Sequence, residues 1–249
     1  MQKKMLFSAI ADFYEYSMQT NCDYKMWAQY VLNRIKSFKE PSVSVKGIDV
    51  ACGTGYFTRV LKKAGYDVCG CDLSPEMLTF AKQKCADEKL VIPFYVQDMT
   101  NLKSFEKVDF ITVINDGINF LPPKKISKAF LSFAKCLKKG GILHFDISSE
   151  YKLKTIIANE TFCEDDENYS YIWFNKLFED RVQMDMSVFI KKGELYEKRE
   201  SSLTEYIYSA DFLLDALKNA GFKVAFCEGA LGETFTNTSE RLNVTAVKI

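Results

Sequence analysis

Residues 48–78 read IDVACGTGYFTRVLKKAGYDVCGCDLSPEML, and this stretch decides the fold. Residues 43–51 (VSVKGIDVA) form an apolar run, Gly53-Thr54-Gly55 supply a turn, and Phe57, Val60, Leu61 and Ala64 then recur at helical spacing. YDVCGC at 66–71 is the next apolar run. Ser74-Pro75 follows as an N-cap with proline at the first helical position, opening a helix that carries Met77, Leu78, Ala81 and Cys85. Strand, helix, strand, helix is the pattern of a parallel sheet. Glycines at the turn let the backbone approach a ligand that a Cβ would repel. Asp72, 17 residues after Gly55, ends the neighbouring strand, where a carboxylate can accept two hydrogen bonds from a ribose diol. Taken alone, a G-x-G in such a unit also fits a plain tight turn.

The alternation continues on both sides. Tyr24, Ala28, Val31, Leu32, Ile35 and Phe38 predict a helix before the main domain, ended by Pro41-Ser42. Downstream come apolar runs at 91–96 and 108–114, a helix over about 124–138, the turn Gly140-Gly141 and the strand ILHFDI. Ala210, Leu213, Leu214, Leu217 and Ala220 form a helical stripe ending at Gly221, followed by strands at 222–228 and 242–249. The link between those two strands has no helical stripe, so the last strand is expected to run antiparallel. The segment 151–204 departs from the pattern. Val182, Met184, Met186, Val188 and Ile190 alternate with mostly polar residues, Lys192-Gly193 marks a hairpin turn, and 169–178 is an aromatic strand. The expected fold is α/β: a Rossmann-like, doubly wound, seven-stranded mixed sheet with an antiparallel last strand, an antiparallel β insertion and an N-terminal helical cap. The domain boundaries are 1–40 for the cap, 41–150 and 205–249 for the main domain, and 151–204 for an insertion over the carboxyl ends of the parallel strands, where such sheets bind ligands.

Composition narrows the function. The chain has 249 residues, 33 Lys+Arg against 33 Asp+Glu, and 47% hydrophobic residues. A net charge of zero offers no field to gather nucleic acid or an anionic membrane. Eight cysteines without a C-x-x-C pair and the single His144 make no metal pattern; they read as reduced, mostly buried thiols and a core histidine. No stretch approaches ~18 consecutive apolar residues, and Asp12 and Glu15 interrupt the N-terminal apolar segment, so a cytoplasmic protein, monomer or homodimer, is expected. Thr58 occupies the third position of the dinucleotide fingerprint, which argues against NAD, and no G-K-[ST] follows.

At this point DVACGTG, with Asp72 at the next strand end, resembles the first motifs of the class I S-adenosylmethionine-dependent methyltransferases, over about residues 45–150 and more loosely beyond. Ala51 stands where many members have glycine. The resemblance implies S-adenosylmethionine as cofactor. By it, Asp49 orients the methionine amino group and the backbone of Ala51, Gly53 and Gly55 lines the amino-acid moiety. Asp72 holds the ribose hydroxyls, with Leu73 and Met77 beside the adenine. Asp98 would accept from the adenine amine while the Met99 N–H donates to a ring nitrogen. Asn115, at the end of the fourth strand, would meet the methionine end. Asp116 would face the substrate as a general base, or cap a helix. Tyr14, Tyr24 and Trp27 are candidates for an aromatic cover on the sulfonium, worth ~0.5–2 kcal/mol each, or for core packing. Tyr171 and Trp173, with Tyr169 and Phe174, are candidates for an acceptor pocket or for packing the sheet. Arg241 would hold a substrate carboxylate or pair with an acid. The acidic run 164–167 reads as a solvated loop. A small acceptor with an N or O nucleophile is expected, since the stretch at 115–118 is Asn-Asp-Gly-Ile and not the signature of amino-directed nucleic-acid methylases. The competing readings are a non-catalytic binder of the same cofactor and an NAD-dependent oxidoreductase.

Overall fold

The computed structural model describes residues 11, 13–15 and 24–249. The expected helical cap is therefore seen only in part: residues 11 and 13–15 are helical, α1 spans Tyr24–Lys36, and Cys22 lies outside the described residues. Five strands then alternate with helices: β1 (Lys46–Val50), α2 (Tyr56–Lys63), β2 (Asp67–Asp72), α3 (Pro75–Asp87), β3 (Phe94–Val96), β4 (Val108–Val113), α4 (Pro123–Cys136) and β5 (Leu137–Ser148). Next come β6 (Thr161–Asp165), β7 (Tyr169–Leu177), β8 (Arg181–Lys192) and β9 (Leu195–Tyr206). The chain closes with α5 (Ala210–Asn219), β10 (Phe222–Glu228) and β11 (Arg241–Lys248).

The main sheet runs in the order β10-β11-β5-β4-β1-β2-β3. β1 to β5 pair in parallel, and β11 is antiparallel to both β5 and β10. The order reverses between β1 and β4, which opens a crevice at their carboxyl ends. Local chemistry sets the helix starts. Ser74 Oγ accepts from the Met77 N–H at 3.1 Å ahead of α3, and Ser209 does the same for Phe212 ahead of α5. Helix α2 has no side-chain cap, because Gly55 precedes it with φ at 72°. The core fills both faces of the sheet: Phe130, Phe133, Phe145 and Leu213 on one side, Ile35, Leu61, Tyr66 and Phe110 on the other, all buried. His144 is fully buried, bonded through Nδ1 to Thr245 Oγ1, and burial holds its imidazole down at about 3, so it is a neutral core residue.

β6 to β9 make a separate four-stranded antiparallel sheet, with Gly193 at φ 64° in the β8–β9 turn. Two features differ from expectation. Glu164 and Asp165 do not lie in a solvated loop but in β6, an edge strand, where backbone pairing needs no apolar side chains and charges protect the open edge. A π-helical turn, Lys152–Ile157, precedes that sheet and buries Leu153 and Ile157 against Val182, Met184 and Leu203. The described cysteines are free thiols, three buried, three half-buried and Cys163 exposed.

Candidate active site

The carboxyl ends of β1, β2 and β4 border a cavity of about 520 Å³. The turn after β1 forms its floor. Ala51 and Gly53 both take positive φ, 55° and 53°, and a Cβ on Gly53 would meet no heavy atom within 4 Å. Open space thus lies against bare backbone. A Cβ on Gly55 would touch Ala81 and Phe94 at 3.0 Å, so this position is closed to larger residues by packing as well as by conformation. The uncapped start of α2 leaves peptide N–H groups near the turn for an anionic group.

Four carboxylates line the cavity; Glu76 accepts from Ser74 Oγ at 3.0 Å, and the other three are each fixed by partners of their own. Asp49 is fully buried; it accepts from Thr58 Oγ1 at 2.6 Å and Thr112 Oγ1 at 2.8 Å, tying β1 to α2 and β4. Thr58, which departs from the dinucleotide fingerprint, is therefore a partner that Asp49 requires. Asp72 accepts from the Gly53 N–H and the Ser74 N–H, both at 2.9 Å, which holds its plane at the rim of the turn. Each oxygen keeps a lone pair for a further donor. Asp98 accepts from the Thr100 N–H at 2.8 Å, opening a tight helical turn that presents Met99. Met77 lines the cavity from within, and Leu73, 58% exposed, stands at its edge.

Aromatic rings cover the opposite side. Tyr24 meets Trp27 and Tyr56 at 5.5 and 5.0 Å between centroids, and Trp27 meets Phe57 at 5.7 Å. The Tyr14 hydroxyl accepts from Asn115 Nδ2, and burial pushes it well above the ordinary tyrosine range. Arg59 anchors this cover: its Nη2 donates to Glu15 at 3.0 Å, its Nε to Glu88 at 3.0 Å and its Nη1 to the Thr54 carbonyl at 2.9 Å. Nothing in the local sequence pattern marked this buried arginine, which occupies a position expected for an ordinary helix surface. Asn115 and Asp116 also have positive φ, and the Asn115 N–H donates to Asp146 at 2.7 Å. Asn119, another residue the pattern did not reveal, is fully buried and joins the β4 loop to the Ser148 and Tyr206 backbones.

Six other candidates, Asp116, Tyr169, Tyr171, Trp173, Phe174 and Arg241, do not line this cavity. Tyr171 packs edge-on against Phe13 at 5.4 Å, and Trp173 against Phe162 at 5.8 Å. Arg241 pairs with acids: Nη1 with Asp116 at 2.9 Å and with Asp146. Asp116 is accordingly paired with a guanidinium. Among the described residues no group of His, Cys, Asp and Glu could hold a metal ion, and no helix is long and apolar enough to cross a membrane.

A methyltransferase-domain family model matches residues 48–141. The methyltransferase-family protein YqeM of Bacillus subtilis (strain 168) is 31% identical over 226 residues, covering 88% of this chain and 87% of its own. The chain belongs to the class I S-adenosylmethionine-dependent methyltransferases. The structure of an S-adenosylmethionine-dependent methyltransferase from Clostridium acetobutylicum ATCC 824 is similar throughout, with a TM-score of 0.87, 27% identity and coverage of 96% and 97% of the two chains. A dTDP-3-amino-3,4,6-trideoxy-alpha-D-glucopyranose N,N-dimethyltransferase of Streptomyces venezuelae is 27% identical over 135 residues, 53% of this chain and 54% of that one. The methyltransferase uses S-adenosylmethionine, and the cavity fits it: bare backbone at Gly53, an oriented carboxylate at Asp72, apolar walls and aromatic faces suited to a sulfonium.

Burial gives this methyltransferase an unusual pH dependence. Desolvation lifts Asp49 to about 6 against its hydrogen bonds, and raises Asp146 in the same direction, Arg241 opposing. For a carboxyl whose folded pKa lies above its unfolded value, the cost is absent below about pH 4 and complete above about pH 6. Asp49 alone then removes on the order of 3 kcal/mol between these limits. Glu88, Asp98 and Asp109 are held below the ordinary range, so their contributions are lost only in stronger acid. His144, kept neutral by burial, opposes this below about pH 6.5, but Asp49, Asp146 and Glu205 together outweigh it, so the cofactor-free protein should melt at a higher temperature at pH 5 than at pH 7; calorimetry showing the reverse order would refute this account.

Proposed function

We propose that the enzyme transfers the methyl group to a small-molecule acceptor through an N or O nucleophile. One observation carries this reading: the cavity is covered by Tyr14, Tyr24 and Trp27 and walled by apolar residues, leaving about 520 Å³ for cofactor and acceptor. Zero net charge and the relative that methylates a nucleotide-linked amino sugar add support. In this reading residues 1–40 act as a helical cap, 41–150 and 205–249 as the methyltransferase domain, and 151–204 as an insertion bordering the acceptor.

Bound there, S-adenosylmethionine supplies an electrophilic methyl carbon on a sulfonium with a thioether leaving group. Asp72 binds the ribose hydroxyls, Asp98 and the Met99 N–H read the adenine edge, and Leu73 and Met77 flank its ring. Asp49 and the backbone of Ala51, Gly53 and Gly55 hold the amino-acid end; Asn115, Tyr14 and Trp27 surround the sulfonium. The task of these residues is alignment and exclusion of water, and orientation of this kind supplies up to ~7–11 kcal/mol in model systems. Asp116 acts through its pair with Arg241, contributing charge beside the acceptor. Incubating the enzyme with methyl-labelled S-adenosylmethionine and a cell extract, then separating metabolites from RNA and protein, tests the proposal. Label is expected in the metabolite fraction; label confined to RNA or protein overturns it.

A further inference from the structure

The inserted sheet carries buried polar atoms that no described residue satisfies. Strand pairing sets Ser201 opposite Met186, Leu203 opposite Met184 and Glu205 opposite Val182, so these residues share the sheet face that Trp173 also occupies. Leu203, Met184, Val182 and Trp173 pack with Phe120, which lines the cofactor cavity. That face is thus joined to the active site by one side chain. On it, Glu205 and Ser201 are 7% and 6% exposed, and Glu205 Oε2, Ser201 Oγ and Trp173 Nε1 are buried without a hydrogen-bond partner among the described residues. A native fold does not ordinarily leave a carboxylate in this condition.

Charge around Glu205 would be unbalanced if its carboxyl ionised with no further cation bound. Tyr206, the next residue, exchanges bonds with Asn119, which brings the end of β9 to the loop that carries Asp116. Asp116 and Asp146 share the single guanidinium of Arg241, which makes no bond to Glu205. Lys152 is the other cation acting on Glu205. Ionised, Glu205 would make a third carboxylate against two cations, one of them already divided between two acids.

We propose that Glu205 seats an ammonium group of the methyl acceptor. This rests on the reading that the acceptor is a small molecule. An ammonium would satisfy the orphaned Glu205 oxygen with an N–H donor and supply the cation that its ionised form lacks. Burial foremost, and then Asp116, push Glu205 up to about 8, against the pull of Lys152 and Arg241. With no cation bound the carboxyl is thus mainly protonated at neutral pH. Seating an ammonium ionises it and releases a proton, so affinity should rise with pH.

The test uses the full chain saturated with S-adenosylhomocysteine, titrated with ethanolamine and with 1,4-diaminobutane while protein amide NMR signals are followed. Ethylene glycol and 1,4-butanediol serve as uncharged counterparts. Both amines stay cationic between pH 6.5 and 8, and their dissociation constants should fall about tenfold over that range as Glu205 ionises. The diols should give no saturable shift, and Glu205→Gln should weaken amine binding at least tenfold and flatten its pH profile. Absence of saturable amine binding, equal binding of the diols, or unchanged affinity in the variant overturns the proposal. Should the variant not fold, the wild-type pH profile decides: a profile that is flat overturns it. S-adenosylhomocysteine affinity in the same samples reports separately on the cofactor site, and the label partition above reports on the acceptor class.

Discussion

Asp72→Ala is expected to weaken S-adenosylmethionine binding by about 100-fold, close to 2.7 kcal/mol, with the protein still folded. Two losses combine. In the proposed complex the carboxylate accepts from both ribose hydroxyls, and hydrogen bonds to a charged group contribute ~1.5–3 kcal/mol. The same carboxylate accepts from the Gly53 and Ser74 N–H groups, so its removal frees the turn that lies against the cofactor as well as the entry to α3. Folding should survive, because Ser74 still caps α3 and the core below is unaltered. Titration calorimetry with S-adenosylmethionine, alongside circular dichroism, reads both parts. Asp72→Asn keeps an acceptor oxygen and should recover part of the affinity. Equal affinity in wild type and Asp72→Ala would remove the ribose assignment.

Arg241→Met is expected to cost about 3–5 kcal/mol of stability, the range for stripping the partner from a buried charge. Asp146 is fully buried and Asp116 half-buried, and both depend on this guanidinium. Methionine fills comparable volume but leaves two neighbouring carboxylates without a cation. For a chain of this size the melting temperature should fall by roughly 10 °C. Cofactor binding should also suffer, because Asp146 holds the Asn115 N–H, and Asn115 borders the cavity in a left-handed conformation. Adding Asp146→Asn to Arg241→Met removes one of the stranded charges and should recover part of the loss in urea denaturation. A single variant within 1 kcal/mol of wild type would show that the ion pairs contribute little.

Much of the cofactor cleft was legible because its parts are local. Asp49, Gly53, Gly55 and Asp72 fall within two dozen residues, and the shift from period two to period 3.6 between them already dictates strand, turn and helix. The antiparallel last strand followed from a linker too poor in apolar residues to make a crossover helix. β6 escaped notice because an acidic edge strand has no apolar period to show. Arg59 looked like a surface residue because helical position says nothing about Glu15 and Glu88 arriving from elsewhere.

The same division separates cofactor from acceptor. Sequence by itself determined the sheet, its switch point and the turn that can take an adenosyl group, since these rest on backbone propensities and apolar spacing. Only the tertiary structure decided that Arg241 belongs to Asp116 and Asp146, 125 and 95 residues away along the chain, and that Glu205 Oε2 is left with no hydrogen-bond partner among the described residues. Buried charges choose partners through space, where desolvation makes each pairing energetic, and no local period records which strands will bring them together.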